Sequence, residues 1–343
     1  MALTKVDTSM VESSGAFGRR NILINGDYSI YQRTQQVTGI GANASTYYTA
    51  DRWKLDMGGS NSGRVTMTAG TEDAPTESNV TTSLKLNCTT ADTSIGAGEY
   101  FILLQQIEGF NLQQFKKGTS GAKQFTVSFF VKGNASATYV VELYDIDNGR
   151  QISKTFAVTS SWSKVELTFP ADTTGAFGND ANASLNVSIW LHAGSEYTGG
   201  TLNSSAWAAQ TPANRAAGIS SLMSSTSNEF YITAVQLEVG DVATEFEILP
   251  RGEKEELCHR YYFVQSYSVE DPGATAGFQY AHSMLQFKMR AAPTGTLTVG
   301  SRSNVNATNF YNQRPTGGRI EIRSAAAGRF YDLDGTIALD AEL

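Results

Sequence analysis

Apolar and polar residues alternate with a period of two through much of the chain. Leu185, Val187, Ile189 and Leu191 are interleaved with Asn186, Ser188, Trp190 and His192, the pattern of a strand with one buried face. Val165, Leu167 and Phe169 repeat it, as do Phe125, Val127, Phe129 and Val131, and again Tyr139, Val141 and Leu143. After Leu143 comes Asp145-Ile146-Asp147-Asn148-Gly149, whose Asn-Gly pair predicts a hairpin. In Phe230–Val239 the alternation changes phase near Ala234, which predicts a β-bulge. Helical periodicity is confined to one segment, Glu253 to Tyr262, acidic at its start and with Leu257 and Tyr261 a turn apart. A Gly/Ser/Ala-rich stretch, Ala193 to Ser227, interrupts the strands as an excursion. Near the end, Asp334-Gly335 precedes Ile337 and Leu339 and reads as a further hairpin turn.

Many short strands without alternating helices predict an all-β fold. The expected architecture is an antiparallel β-sandwich or barrel with an extended N-terminal arm and a smaller C-terminal β module. Its boundaries are an arm over residues 1–20, a sandwich over 21–248, a short helical connector over 249–263 and the module over 264–343. No repeat of 20–50 residues is visible, which excludes solenoids and propellers.

Composition narrows the functional classes. Charged residues are 17% of the chain and hydrophobic ones 41%, so surface polarity falls to Ser, Thr, Asn and Gln. The formal net charge is −7, and only Arg19-Arg20 and Lys116-Lys117 stand as adjacent basic pairs. With no basic stripe, nucleic acid is not an expected partner. No apolar run approaches the roughly 20 residues of a membrane span, so no membrane insertion is expected. Met1–Met10 lacks the apolar stretch of a secretory signal, an expectation consistent with release by host lysis. Cys88 and Cys258 stand far apart and are expected to be buried free thiols.

Catalytic chemistry leaves no signature. The chain has no phosphate-cradling loop, HExxH, CxxC or nucleophile elbow. His192, His259 and His282 sit in separate segments without an evident Ser or Cys partner. Glu99, Glu108 and Glu142 are conceivable glycosidase carboxylates only if they converge in space. The Asp145–Gly149 run lacks the later acid of a calcium loop. No catalytic residue, cofactor or metal site is expected.

Several segments carry a resemblance in combination. Asn21-Ile-Leu-Ile-Asn25-Gly26-Asp27, Tyr48-Thr-Ala-Asp51-Arg52-Trp53 and Gln124–Lys132 come in that order. Phe230–Gly240 and Glu256–Tyr262 complete the series, and Met289-Arg-Ala-Ala-Pro293 fits the same group further on. The set resembles a group of phage structural or tail-fibre proteins whose core is similar to a carbohydrate-binding jelly roll. From the residues themselves, Asn25-Gly26-Asp27 reads as a turn, Trp53 as packing more than a ligand platform, and Asp51-Arg52 as a local ion pair. Glu238 is expected to close an edge of the sandwich. Related sugar-binding jelly rolls hold a structural calcium with acids in their first and last strands. Here those positions resemble Ser29 and Thr233, which supply no carboxylate.

The resemblance implies a virion protein, a tail fibre or receptor-binding component. It would be attached to other virion proteins through the N-terminal arm, assembled as a homotrimer, and in contact with a bacterial surface glycan. Flat aromatic faces suit sugar stacking, and the candidates are Tyr47, Tyr48, Trp190, Tyr197 and Trp207. Trp190 stands out because it points away from the buried set of its strand, toward a sugar or toward another subunit. Recognition is expected in the excursion or in the C-terminal module, where Phe278, Tyr280, Phe310, Tyr311, Phe330 and Tyr331 cluster. The alternatives are a purely architectural virion component and a polysaccharide depolymerase.

Overall fold

The structure is a computed structural model and describes residues 19–277, 279–284 and 288–343. The expected arm therefore lies outside the described residues up to residue 18, as does Phe278. The chain divides into two compact units, Met1–Leu249 and Pro250–Leu343.

In the first unit the strands are β1 (Gln36–Ile40), β2 (Ser45–Thr46), β3 (Lys54–Gly58), β4 (Arg64–Thr71), β5 (Ser83–Thr90) and β6 (Tyr100–Glu108). They continue with β7 (Phe125–Gly133), β8 (Ala137–Asp145), β9 (Arg150–Val158), β10 (Ser163–Phe169), β11 (Ala183–Ala193), β12 (Ala208–Ala209) and β13 (Glu229–Val239). They form two antiparallel sheets, one in the order β1-β4-β5-β13-β7-β10 and the other in the order β12-β9-β8-β11-β6-β3-β2. This is the β-sandwich that the alternation predicts, in the jelly-roll form that the resemblance implies. Phe125, Val127, Phe129 and Val131 from the first sheet meet Leu185, Val187, Ile189 and Leu191 from the second in one core. The β8–β9 hairpin forms at the Asn-Gly pair, with Asp145 opposite Arg150 and Gly149 at φ +59°.

β13 runs between β5 and β7, in the middle of its sheet. Glu238 therefore closes no edge; its carboxylate accepts from the amide and hydroxyl of Thr244 at 2.8 Å each. The phase change in this strand is a true bulge. Its register shifts between Thr233 and Gln236, with Ala234 at φ +53°. The bulge makes room for the segment Asn21–Ile30, which is threaded against β13 as irregular backbone and not as a strand. Irregular buried backbone needs side-chain partners, and the chain supplies them. Asn21 bonds the carbonyl of Val235 and the amide of Leu237, and Gln105 bonds both polar groups of Ile24. Asn25, at φ +57°, bonds Ile30 and Asp51 through its side chain, while its own carbonyl accepts from the indole of Trp53 at 2.9 Å. Trp53 is fully buried. Asp51 accepts from Gln32 and lies 3.7 Å from Arg33, and Arg52 donates to the carbonyl of Gln106. Three of the segments that carry the resemblance thus meet in one knot that holds the fold.

The second unit opens with α1 (Arg251–His259), two residues earlier than the sequence predicts, and continues with strands β14 (Tyr262–Ala274), β15 (Gln279–Met284), β16 (Thr294–Thr298), β17 (Ser301–Ser303), β18 (Val305–Arg314), β19 (Gly317–Ser324) and β20 (Gly328–Asp340). Tyr267, Ile320, Ile322, Phe330, Ile337 and Leu339 build its core. Tyr280 and Tyr311 are exposed. Asp334-Gly335 is not a hairpin turn. β20 passes straight through it, because β14 continues to pair on both sides and absorbs Asp334, at φ +59°, as a register shift.

The threaded segment generates a test. A Cβ on Gly26 would stand 2.1 Å from the carbonyl oxygen of Val235, whose amide donates to Gly26 at 2.9 Å. Backbone on both sides must then move, so Gly26→Ala should cost about 1–3 kcal/mol by the overpacking it forces. Gly252→Ala in α1, where a Cβ meets nothing, should be neutral or slightly stabilising. Urea denaturation of the two variants checks this, and equal midpoints would contradict it.

Candidate functional site

The outer face of the seven-stranded sheet is where Trp190 points, but that face is not open. Ile102, Leu104, Val140 and Trp190 project from it as a second apolar cluster, separate from the core. The excursion crosses over them, contributing Ala216 with Tyr197, Leu202 and Ile219 beside it. Trp190 is consequently 0% exposed. Its ring lies 5.3 Å from that of Tyr197 and under the guanidinium of Arg215 at 4.7 Å. Beneath it Glu142, also fully buried, accepts from the Trp190 indole at 3.0 Å and from two nitrogens of Arg215 at 2.8 Å each. A bidentate guanidinium is what a buried carboxylate requires. Glu142 thus serves as the anchor of the excursion.

The other aromatic candidates are scattered. Tyr47 is buried beneath Arg33, and Tyr48 is half-buried against the core. Trp207 belongs to the core: its indole donates to the carbonyl of Pro170, and its ring faces Phe125 and the ammonium of Lys117. That ammonium is fully buried between Asp145 and Asp172, at 2.5 and 3.1 Å. Only Tyr197 and Trp190 come together, and the excursion itself closes the place they form. The five candidates make no shared sugar platform. Among the conceivable catalytic acids, Glu108 is buried at the end of β6, and Glu99 faces His192.

The open aromatic surface lies on the other sheet. Trp162 is half-buried, whereas Trp53, Trp190 and Trp207 are buried. It precedes β10 and keeps the parity of Lys164 and Glu166, opposite to the inward-facing Val165, so it stands on the outer face. Phe130 does the same in β7 and pairs directly with Lys164. With Pro75 and Phe246 these residues line a groove of about 470 Å³, and Glu77, Lys164 and Glu245 supply its charges. Trp162 is fixed in place. Its indole donates to Asp73 at 3.1 Å, and Lys132, paired to Asp73 at 2.6 Å, lies over both the Trp162 and Tyr231 rings. Asp73 has its pKa lowered: burial opposes its charge, and the bonds from Lys132 and Trp162 outweigh burial. Parity in the two strands was the signal for this site, because an aromatic out of phase with its strand's buried set faces outward.

A third group gathers at the end of β11. Asp92, Glu99 and His192 are all buried, with one ligand atom of each within 4.8 Å of the others. This is the one cluster of metal-ligating type found among the described residues, and it departs from the sequence expectation of no metal-like grouping. His192 also has a serine partner that the sequence did not reveal: its Nδ1 lies 2.7 Å from Ser221 Oγ. Burial lowers the His192 pKa, against the upward pull of Asp92 and Glu99.

No protein-family model matches the sequence, and no curated protein matches it. Solved structures do. The enzymatically active domain of bacteriophage CBA120 tailspike protein 4 aligns over 64% of this chain at 12% identity and a TM-score of 0.31. The alignment spans 21% of that protein's chain. The module TmCBM61, solved with β-1,4-galactotriose, aligns over 64% of this chain and 99% of its own at 12% identity and a TM-score of 0.30. A family 11 carbohydrate-binding module from Clostridium thermocellum, in complex with a mixed-linked tetrasaccharide, aligns over 61% and 99% at 11% identity and a TM-score of 0.29.

The anchoring of the excursion can be measured. Arg215→Met strands the Glu142 carboxylate in an apolar site and should cost about 3–5 kcal/mol. The double variant Glu142→Met/Arg215→Met removes both charges and should recover much of that loss. Denaturant unfolding of wild type and the two variants gives the comparison; equal losses would mean that Glu142 does not depend on Arg215.

Proposed function

We propose that the chain is a non-catalytic bacteriophage virion protein of the tail-fibre or receptor-binding kind. In this reading it holds a bacterial surface glycan in the groove at Trp162. The observation that carries the glycan assignment is the half-exposed, rigidly held Trp162 ring beside Phe130 and Phe246 in an open groove of about 470 Å³. That volume is in the range of small-ligand sites. An immobilised indole offers a flat apolar face to the C–H face of a pyranose at little cost in side-chain entropy. Lys164, Glu77 and Glu245 can bond hydroxyl groups around the ring.

The virion assignment is supported by the ordered motif series from Asn21 to Tyr262. Attachment through the N-terminal arm and assembly as a homotrimer belong to the same reading. Three linked copies of a weak sugar site could raise avidity by roughly 10²–10⁴ without new contacts. The non-catalytic part is supported by the state of the carboxylates. A glycosidase acid is a desolvated carboxyl within reach of the sugar, whereas Glu77 and Glu245, the carboxylates that line the groove, are exposed.

Trp162→Ala should weaken binding to the recognised glycan by about thirty-fold, the ~2 kcal/mol of an aromatic hot spot, with little change in melting temperature. An array of bacterial surface polysaccharides, followed by adsorption to whole cells, measures it. Undiminished binding by the variant would remove the groove from the proposal. Absence of any glycan binding by the wild type would favour the architectural reading, and shortened glycan products would favour the depolymerase.

A further inference from the structure

We propose that Asp92, Glu99 and His192 bind a divalent zinc-type cation, which staples the β5–β6 loop to the end of β11. The starting point is an unsatisfied pair. His192 Nε2 and Glu99 Oε2 are both buried, neither has a hydrogen-bond partner, and they face each other at 3.6 Å. His192 is 0% exposed and Glu99 4%. Burying two such atoms without a polar partner is costly.

The tautomer sharpens the point. His192 Nδ1 lies 2.7 Å from Ser221 Oγ. If Nδ1 carries the proton and donates to Ser221, Nε2 presents a lone pair to a carboxylate oxygen, and two acceptors confront one another. If Nε2 carries it, 3.6 Å is too long for a hydrogen bond. A cation between them satisfies both atoms at once. Ser221 then has the part of the outer partner that orients a metal-bound imidazole. Ser221 is itself held, since its Oγ accepts from the amide of Met223 at 3.1 Å.

Distances and donor types select the ion. Zinc sits at about 2.0–2.2 Å from imidazole nitrogen and carboxylate oxygen, so two tetrahedral ligands stand roughly 3.3 Å apart. The His192–Glu99 pair, at 3.6 Å, needs only a few tenths of an ångström to close, and Asp92, whose ligand atom lies within 4.8 Å of the other two, would move in with the ion. One imidazole and two carboxylates suit zinc or a neighbouring transition metal. Calcium would want six to eight oxygens. Asp92 is preset by backbone: its two oxygens accept from the amides of Ser62 and Ser94, at 2.9 and 3.1 Å, and each oxygen keeps a further lone pair. Three protein ligands leave a fourth position for water or a small anion. The site is built from parts distant in sequence, and the amide of Gly194 donating to the carbonyl of Glu99 at 2.8 Å already ties two of them.

The test uses the full chain, stripped with EDTA and dialysed. Titration with zinc chloride should show one tight site per chain by calorimetry and raise the melting temperature by on the order of 5 °C. Calcium and magnesium chloride should do neither. Cobalt(II) should give the intense visible bands of a four-coordinate site. His192→Ala and Glu99→Gln should each lose the tight site, and His259→Ala should keep it. Because His192→Ala empties a fully buried site and threatens the fold itself, Glu99→Gln, nearly isosteric, provides the second check. Absence of a one-to-one site in the stripped wild type overturns the proposal, as does a zinc response that survives both ligand substitutions.

Discussion

Glu142 lies fully buried on the outer face of a sheet, opposite Ser153 and Ser188 and beside the apolar cluster of Ile102, Leu104, Val140 and Trp190. A carboxylate in that setting must be brought a cation with matching geometry, and nothing on the neighbouring strands supplies one. Arg215 comes from the excursion, 73 residues along the chain. This electrostatic requirement pins the middle of the Ala193–Ser227 stretch, beside the apolar packing of Ala216, the pairing of Ala208–Ala209 with β9 and the seating of Trp207 in the core. The excursion in turn covers the apolar cluster, puts Trp190 out of solvent, and carries Ser221 to the ring of His192.

The two outer faces of the sandwich consequently differ in kind. The seven-stranded sheet is roofed over and its aromatics are structural. The six-stranded sheet keeps an open surface, where Phe130, Trp162 and Tyr231 alternate with Lys85, Lys132 and Lys164. Tyr231 has ammonium groups at 5.1 and 4.6 Å from its ring centre, which holds the strip rigid without burying it. The proposed glycan groove rests on this surface, which is apolar, fixed and rimmed with charge, and not on the roofed face.

The sandwich was legible because each core strand states its own facing. Phe125 to Val131 and Leu185 to Leu191 alternate without a break, and the one break, at Ala234, marked a real bulge. Exposure was harder to read. Alternation tells which way Trp190 points, but what lies above it depends on a segment held by long-range contacts, among them the Glu142–Arg215 pair. Trp162 had the opposite fate: its parity with Lys164 was visible, yet a lone tryptophan before a strand carries no motif. Asp334-Gly335 misled because a left-handed residue serves a turn and a bulge equally well, and only the partner strand decides. The grouping of Asp92, Glu99 and His192 left no trace in spacing, since it forms only where β11 passes the β5–β6 loop.

The position of β13 bears on how this chain can come to be folded at all. β13 fills the gap between β5 and β7, and its bulge is the seat of the threaded Asn21–Ile30 segment. Until residue 239 has left the ribosome, the six-stranded sheet stands as two halves, with β5 and β7 offering unpaired edges. The earliest residues of the sandwich likewise wait for partners more than 200 positions away, as Asn21 does for Val235 and Leu237. Long-range closure of this kind makes folding slow and late, and the nascent chain spends its synthesis with adhesive strand edges exposed.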